Sequence, residues 1–269
     1  MVGSFLNVVI HRLPLMMQSG WRKECCEFLQ LETDSNESDE KYNLVVPRSR
    51  CPHCSHAIKA WENIPVVSYI FLRAKCASCK KSISWRYPAI EFLTGALSLI
   101  VALHFGYSIH VIPALILTWG LVALSFIDFD HQLLPDDITL PLLWLGLLCN
   151  LFSVFTDIHS SLIGAMAGYM VLWLIYISFK ILTGKEGMGH GDFKLLAVLG
   201  AWLGWEMLPL TIILSSLCGA AVGISLIVFA KHDRKQAIPF GPYLAMAGWI
   251  AMIWGNEILR AYDRWLMPQ

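Results

Sequence analysis

Residues 109–127 read IHVIPALILTWGLVALSFI, nineteen positions without an Asp, Glu, Lys or Arg. A run of that length and character can cross the hydrocarbon core of a bilayer as a helix. It runs into Asp128 with no turn residue between. The rest of the chain has the same character, with 56% hydrophobic residues, 15% charged residues and a mean hydropathy of +0.57 over 269 residues. Those values exclude an ordinary soluble domain and describe a polytopic membrane protein. Outward from 109–127, helical apolar runs are predicted at 89–105, 138–155, 160–182, 194–208, 210–230 and 241–260. The N-terminal MVGSFLNVVI offers ten residues before His11 where a span needs about 20, and reads as a truncated first transmembrane helix. It lacks the basic start and small-residue site of a cleaved signal peptide. The predicted fold is therefore an all-α integral membrane protein of about eight transmembrane helices. Residues 1–10 form the first helix, 11–88 a polar loop, and 89–262 a seven-helix core.

The net charge of zero carries little information, whereas the placement of the charges is informative. Twelve of the twenty Lys and Arg residues lie between His11 and Pro88. Cationic loops stay in the cytoplasm, so this stretch is predicted to be cytosolic. Alternation then puts the loops around 128–137, 183–193 and 231–240 on the same side. Lys180, Lys185, Lys194, Lys231, Arg234 and Lys235 agree with that orientation, and only Arg260 and Arg264 oppose it. Asp128 and Asp192 both emerge at the cytoplasmic face in this reading.

Two acidic segments carry chemistry. In SFIDFDHQLLPDDITLP, residues 125–141, Asp136 and Asp137 follow Pro135 as a turn and helix cap would. Asp128 differs, because a carboxylate at the hydrocarbon boundary is costly and is a functional candidate by default. In EGMGHGDFKLL, residues 186–196, Gly187, Gly189 and Gly191 alternate ahead of Asp192. Glycines there allow close backbone approach and angles closed to other residues; the plainer reading is a flexible loop with Asp192 capping the next helix. A dinucleotide-binding reading fails, since no strand precedes the glycines and their spacing is wrong. Two carboxylates at helix ends on one side allow a dyad. One, ionised, takes a proton from water while the other, protonated, donates to a carbonyl oxygen, and peptide hydrolysis is the natural reaction.

Cys51, Cys54, Cys76 and Cys79 form two CxxC pairs separated by 21 residues. Each pair can supply two thiolates to a tetrahedral ion, and a closed four-sulfur set reads as a structural zinc site. His53 and His56 are alternative ligands, and free thiols or a redox pair are the alternative reading. Cys149 and Cys218 read as small buried helix residues. The polar segment 22–43 reads as a loop. Glu91 and Asn7, polar within apolar runs, read either as substrate contacts or as interhelical hydrogen bonds.

Together, GSFLNVVIHRLP at the start, the two CxxC pairs, IDFDHQLLPDDITLP and EGMGHGDFKLLAVLGAWLGW resemble the prepilin leader peptidases of type IV pilus and type II secretion systems, a family of membrane aspartic peptidases. The resemblance spans nearly the whole chain. It implies that Asp128 and Asp192 are catalytic, with Gly189 and Gly191 shaping the supporting loop. It also implies removal of a basic leader after a glycine at the cytoplasmic face of the bacterial inner membrane, and methylation of the new N-terminus from S-adenosylmethionine. The implied substrates are prepilins and pseudopilins, with lipid around the helices and no nucleic acid; residues binding S-adenosylmethionine are not assigned. Two rival readings are a proton-coupled transporter using Asp128 and Asp192 as a relay and a zinc-dependent adaptor without catalysis. The transporter predicts midplane carboxylates and repeated halves, and the sequence displays neither.

Overall fold

The computed structural model describes residues 1–31, 42–51, 53–59, 62, 64–185, 187–229 and 239–266. Residues 32–41 of the polar segment and the basic positions Lys231, Arg234 and Lys235 lie outside the described residues. The described chain is helical apart from short turns and two isolated β-bridges, Arg50 with Ala57 and Lys75 with Ser82. It divides into two compact units, Met1–Leu99 and Ile100–Gln269.

The first unit opens with α1, Val2–Phe28. Leu6, Val9, Ile10 and Leu13 are buried at the i, i+3, i+4, i+7 spacing of one helical face. The expected end of the first helix at residue 10 is corrected, because α1 continues through Pro14 to Phe28 and takes in the start of the segment read as loop. The apolar run stops where lipid-compatible side chains stop, whereas the backbone helix needs only residues such as Leu, Met, Gln, Arg, Lys and Glu to continue. Arg12 is buried and donates to the carbonyls of Asn43 and Pro47 at 2.9 and 2.6 Å. Downstream come a short helix α2, Val67–Phe71, and α3, Arg86–Phe105, whose last turn passes into the second unit.

Glu91 on α3 is an interhelical clamp. Ser4 Oγ donates to Oε1 at 2.5 Å and the Val66 N–H donates to Oε2 at 2.8 Å. Asn7 Nδ2 donates to the Tyr87 carbonyl at 3.2 Å, so the structural reading of both polar residues is the one found. Glu91→Ala removes the acceptor of the Val66 N–H and one of the contacts of Ser4. It is expected to lower stability by about 1–3 kcal/mol and to speed limited proteolysis between residues 42 and 85 relative to wild type.

The second unit contains α4 (Val111–His131), α5 (Asp136–Leu151), α6 (Ile158–Thr183), α7 (His190–Leu203), α8 (Leu208–Phe229) and α9 (Gly241–Leu266). At its centre lies α7, buried at Asp192, Phe193 and every position from Leu195 to Trp202. The predicted helix 194–208 is corrected to His190–Leu203. Gly204, at φ +84°, ends α7, and a 3-10 turn at Trp205–Met207 leads into α8. Asn150, buried on α5, anchors the far end of α7 by donating to the carbonyls of Ala201 and Trp202 at 2.8 and 3.0 Å.

Four helical segments are long and apolar enough to cross a membrane: Arg86–Phe105, Val111–His131, Ile158–Thr183 and Trp205–Leu226. Of the eight expected spans, the others do not qualify on length and apolarity. α5 and α7 have only 16 and 14 residues, while α1 and α9 are long but more polar.

Candidate active site

Three helix ends converge in the second unit. α4 runs past the expected end at 127 to His131, so Asp128 sits in its last turn, and Gln132 closes the helix in the left-handed conformation at φ +53°. α7 begins at His190 with Gly189 as its N-cap, which places Asp192 in the first turn and not at the cap. α9 begins at Gly241. Asp128 and Asp192 are only 6% and 7% exposed, although aspartate is a residue type almost never fully buried unless paired. The two carboxylates are within electrostatic reach of each other, and the Gly189 amide faces that of Asp192. The Gly241 N–H donates to Asp128 Oδ2 at 3.0 Å.

Leu134, in the turn after α4, fills the space between the starts of α7 and α9. A methyl added at Gly191 would lie 2.8 Å from Leu134 Cβ, and one added at Gly241 would lie 3.4 Å from Leu134 Cδ1. Gly191 is thus a close-approach glycine, as is Gly187, whose added methyl would fall 2.8 Å from the Phe179 ring. The expectation of unusual backbone angles is corrected: the positive-φ glycines among the described residues are Gly106, Gly184 and Gly204, and none precedes Asp192 in the GxGxGD segment. Asp136, in the first turn of α5 behind the N-cap Pro135, pairs with Lys194 Nζ at 2.7 and 2.8 Å. That ion pair ties the start of α5 to α7 two residues beyond Asp192. Neither Gly241 nor the Lys194 pair was legible as part of the site; the only local signal for the former is a Gly-Pro pair opening an apolar run.

In the first unit the four predicted cysteines come together, with their Sγ atoms all within 4.8 Å of one another. The Cys51–Cys79 and Cys54–Cys76 sulfurs are 3.8 and 3.9 Å apart. Bonds of about 2.3 Å to a tetrahedral ion put sulfurs about 3.8 Å apart, so the set could hold a metal. The two knuckles are built alike. The Cys51 and Cys76 amides donate to His56 and Lys81 carbonyls at 2.9 and 2.8 Å, and Ser55 and Lys80 hold matching positive φ of 55° and 59°. Amides of His53 and Cys54 pull the Cys51 thiol down, while burial and the neighbouring thiols push that of Cys79 up, so without a cation the four do not all ionise. Of the two alternative ligands, His56 lies 3.4 Å from the Glu62 carboxylate and His53 lies 3.4 Å from Lys81 Nζ, and neither joins the cluster.

Residues 1–105 match the bacterial peptidase A24 N-terminal domain, and residues 115–224 match the type IV leader peptidase family. A protein of Stutzerimonas stutzeri called prepilin leader peptidase/N-methyltransferase is 56% identical over 262 residues, covering 97% of this chain and 90% of that protein. Proteins of the same name from Pseudomonas aeruginosa and Legionella pneumophila are 55% and 46% identical, each over 97% of this chain and 90% of their own length. No solved structure matches the chain. The buried pair of aspartates at converging helix ends thus sits in a member of the type IV leader peptidase family, a peptidase with methyltransferase activity.

Proposed function

We propose that the chain removes the basic leader from type IV prepilins and pseudopilins after a glycine and N-methylates the new N-terminus. The work would take place at the cytoplasmic face of the bacterial inner membrane, with Asp128 and Asp192 as the catalytic dyad. The observation that carries this reading is the burial of two carboxylates, 64 positions apart (192 − 128), within electrostatic reach of each other at helix ends. One carboxylate takes a proton from water as it attacks the scissile carbonyl, and the other donates to the carbonyl oxygen. A substrate helix with its apolar body in lipid and its cationic leader in the cytosol would bring the scissile bond to that depth. The eight helices α1 and α3 to α9 would then be the membrane spans. α7, wrapped by its neighbours, does not need to match the bilayer thickness by itself. The transporter reading loses support once the chain is placed in a peptidase family.

The four cysteines would hold a structural zinc, closed to substrate because all four positions are sulfur. S-adenosylmethionine, when bound, supplies the methyl group; we assign no residue to it. Mass spectrometry of a purified prepilin incubated with membranes, with and without S-adenosylmethionine, reads leader loss and methylation together. An intact leader after incubation with the active preparation would overturn the reading. Cys51→Ser is expected to lower bound zinc and to impair methylation before cleavage; equal loss of both would assign the module to overall folding.

A further inference from the structure

We propose that Gly241 is a positioning residue for peptide cleavage, its backbone N–H fixing the rotamer of Asp128 so that one carboxylate oxygen is left for water. The proposal rests on the dyad reading above and concerns a residue that reading does not use.

The case begins with the donors at the start of α9. A helix leaves its first N–H groups without intrahelical partners. In FGPY, residues 240–243, Pro242 has no N–H, and the amides of Tyr243 and Leu244 already donate to the Phe240 carbonyl at 3.1 and 3.2 Å. Of the amides from 241 to 244, that of Gly241 remains, and it points to Asp128 Oδ2 at 3.0 Å across 113 positions of sequence. Proline at the second helical position sets the turn without competing for an acceptor.

Asp128 needs such a partner from outside its own helix. It lies in the last turn of α4, where unpaired carbonyls disfavour a negative charge, and its own carbonyl is taken by the Gln132 amide at 2.8 Å. The start of α9 supplies the opposite polarity. Among the described residues Oδ1 has no further hydrogen bond, so the Gly241 contact divides the carboxylate into one held oxygen and one available oxygen.

Glycine is required at 241 by space and not by backbone angle. Gly241 is absent from the positive-φ glycines. An added methyl would lie 2.6 Å from Asp128 Oδ2 and 3.1 Å from its Cγ, so any side chain displaces the carboxylate itself. The same residue therefore holds Asp128 with its N–H and makes room for it with its missing side chain.

The test measures cleavage kinetics on a purified prepilin and, separately, methyl transfer to a pilin already cleaved. Gly241→Ala is expected to lower kcat for cleavage by about a hundredfold, the scale of a displaced catalytic group, with KM within about twofold and methyl transfer retained. Gly95→Ala on α3 is the control, because its methyl would meet nothing within 4 Å; it should keep the wild-type rate. If Gly241→Ala loses methyl transfer too, a backbone ester at 241, made with glycolic acid, removes the N–H without adding a methyl and is expected to lower kcat about tenfold, as for one hydrogen bond to a charged group. A wild-type kcat in either variant, with Asp128→Asn inactive, overturns the role of Gly241. Retained cleavage by Asp128→Asn overturns the dyad instead.

Discussion

Asp128→Asn and Asp192→Asn are each expected to slow leader removal by about 10⁴-fold, the upper scale for deleting a group that moves a proton. Asparagine preserves the shape of the side chain. At 128 it can still accept from the Gly241 N–H through its amide oxygen, so the pocket stays filled and the expected defect lies in chemistry. Loss at both positions is expected because the proposed dyad would act as a unit: without one member nothing would take the proton from water, and without the other nothing would donate to the carbonyl oxygen. Both variants should unfold under the same conditions as wild type and still methylate a pilin cleaved beforehand. Mass spectrometry of the pilin checks each point, and cleavage near the wild-type rate by either variant removes that aspartate from the mechanism.

Gly200→Val is expected to reduce stability by about 3 kcal/mol, the upper end of the usual overpacking range. Most core glycines face side chains that can turn aside, but here the obstacle is backbone. A methyl at Gly200 would meet the Gly164 carbonyl oxygen closer than any allowed contact, with the carbonyl carbon and the Ala165 nitrogen behind it. One turn along α6, a methyl at Gly168 would lie 2.6 Å from the Leu196 carbonyl oxygen. Gly164 and Gly168 on α6 thus pair with Gly200 and Leu196 on α7, a close approach of the kind small residues allow between membrane helices. Asp192 lies eight residues before Gly200 on α7, about 12 Å along the axis. Moving α7 away from α6 moves the carboxylate with it, so cleavage should fall along with stability. Equilibrium unfolding in detergent measures the effect. Gly95→Ala, whose methyl meets nothing within 4 Å, should be neutral or slightly stabilising. Equal stability of Gly200→Val and Gly95→Ala would show that the α6–α7 approach is not tight.

The membrane character, most helix positions and the cysteine module were legible in the order of residues because each depends on near neighbours. Hydropathy along 109–127 needs only the side chains themselves, and each CxxC knuckle closes on bonds between residues four or five apart, such as the Cys51 amide to the His56 carbonyl. Helix ends were less legible. α1 runs on to Phe28 because loss of apolar character does not break a backbone helix, and α7 stops at Leu203 because Gly204 leaves helical angles.

The candidacy of Asp128 and Asp192 also came from sequence alone, the first from the cost of a carboxylate beside lipid and the second from the alternating glycines ahead of it. A dyad was legible as a possibility, but the packing that brings the two near each other was not, for it depends on Leu134 filling the gap between two helix starts and on α6 and α7 approaching backbone to backbone. Gly241 belongs wholly to the tertiary structure: an N–H left over at one helix start reaches a carboxylate at another helix's end, 113 positions away. Local chemistry marks which groups can react, but only packing brings distant groups within a hydrogen bond's length, because that distance is set by every side chain lying between the helices.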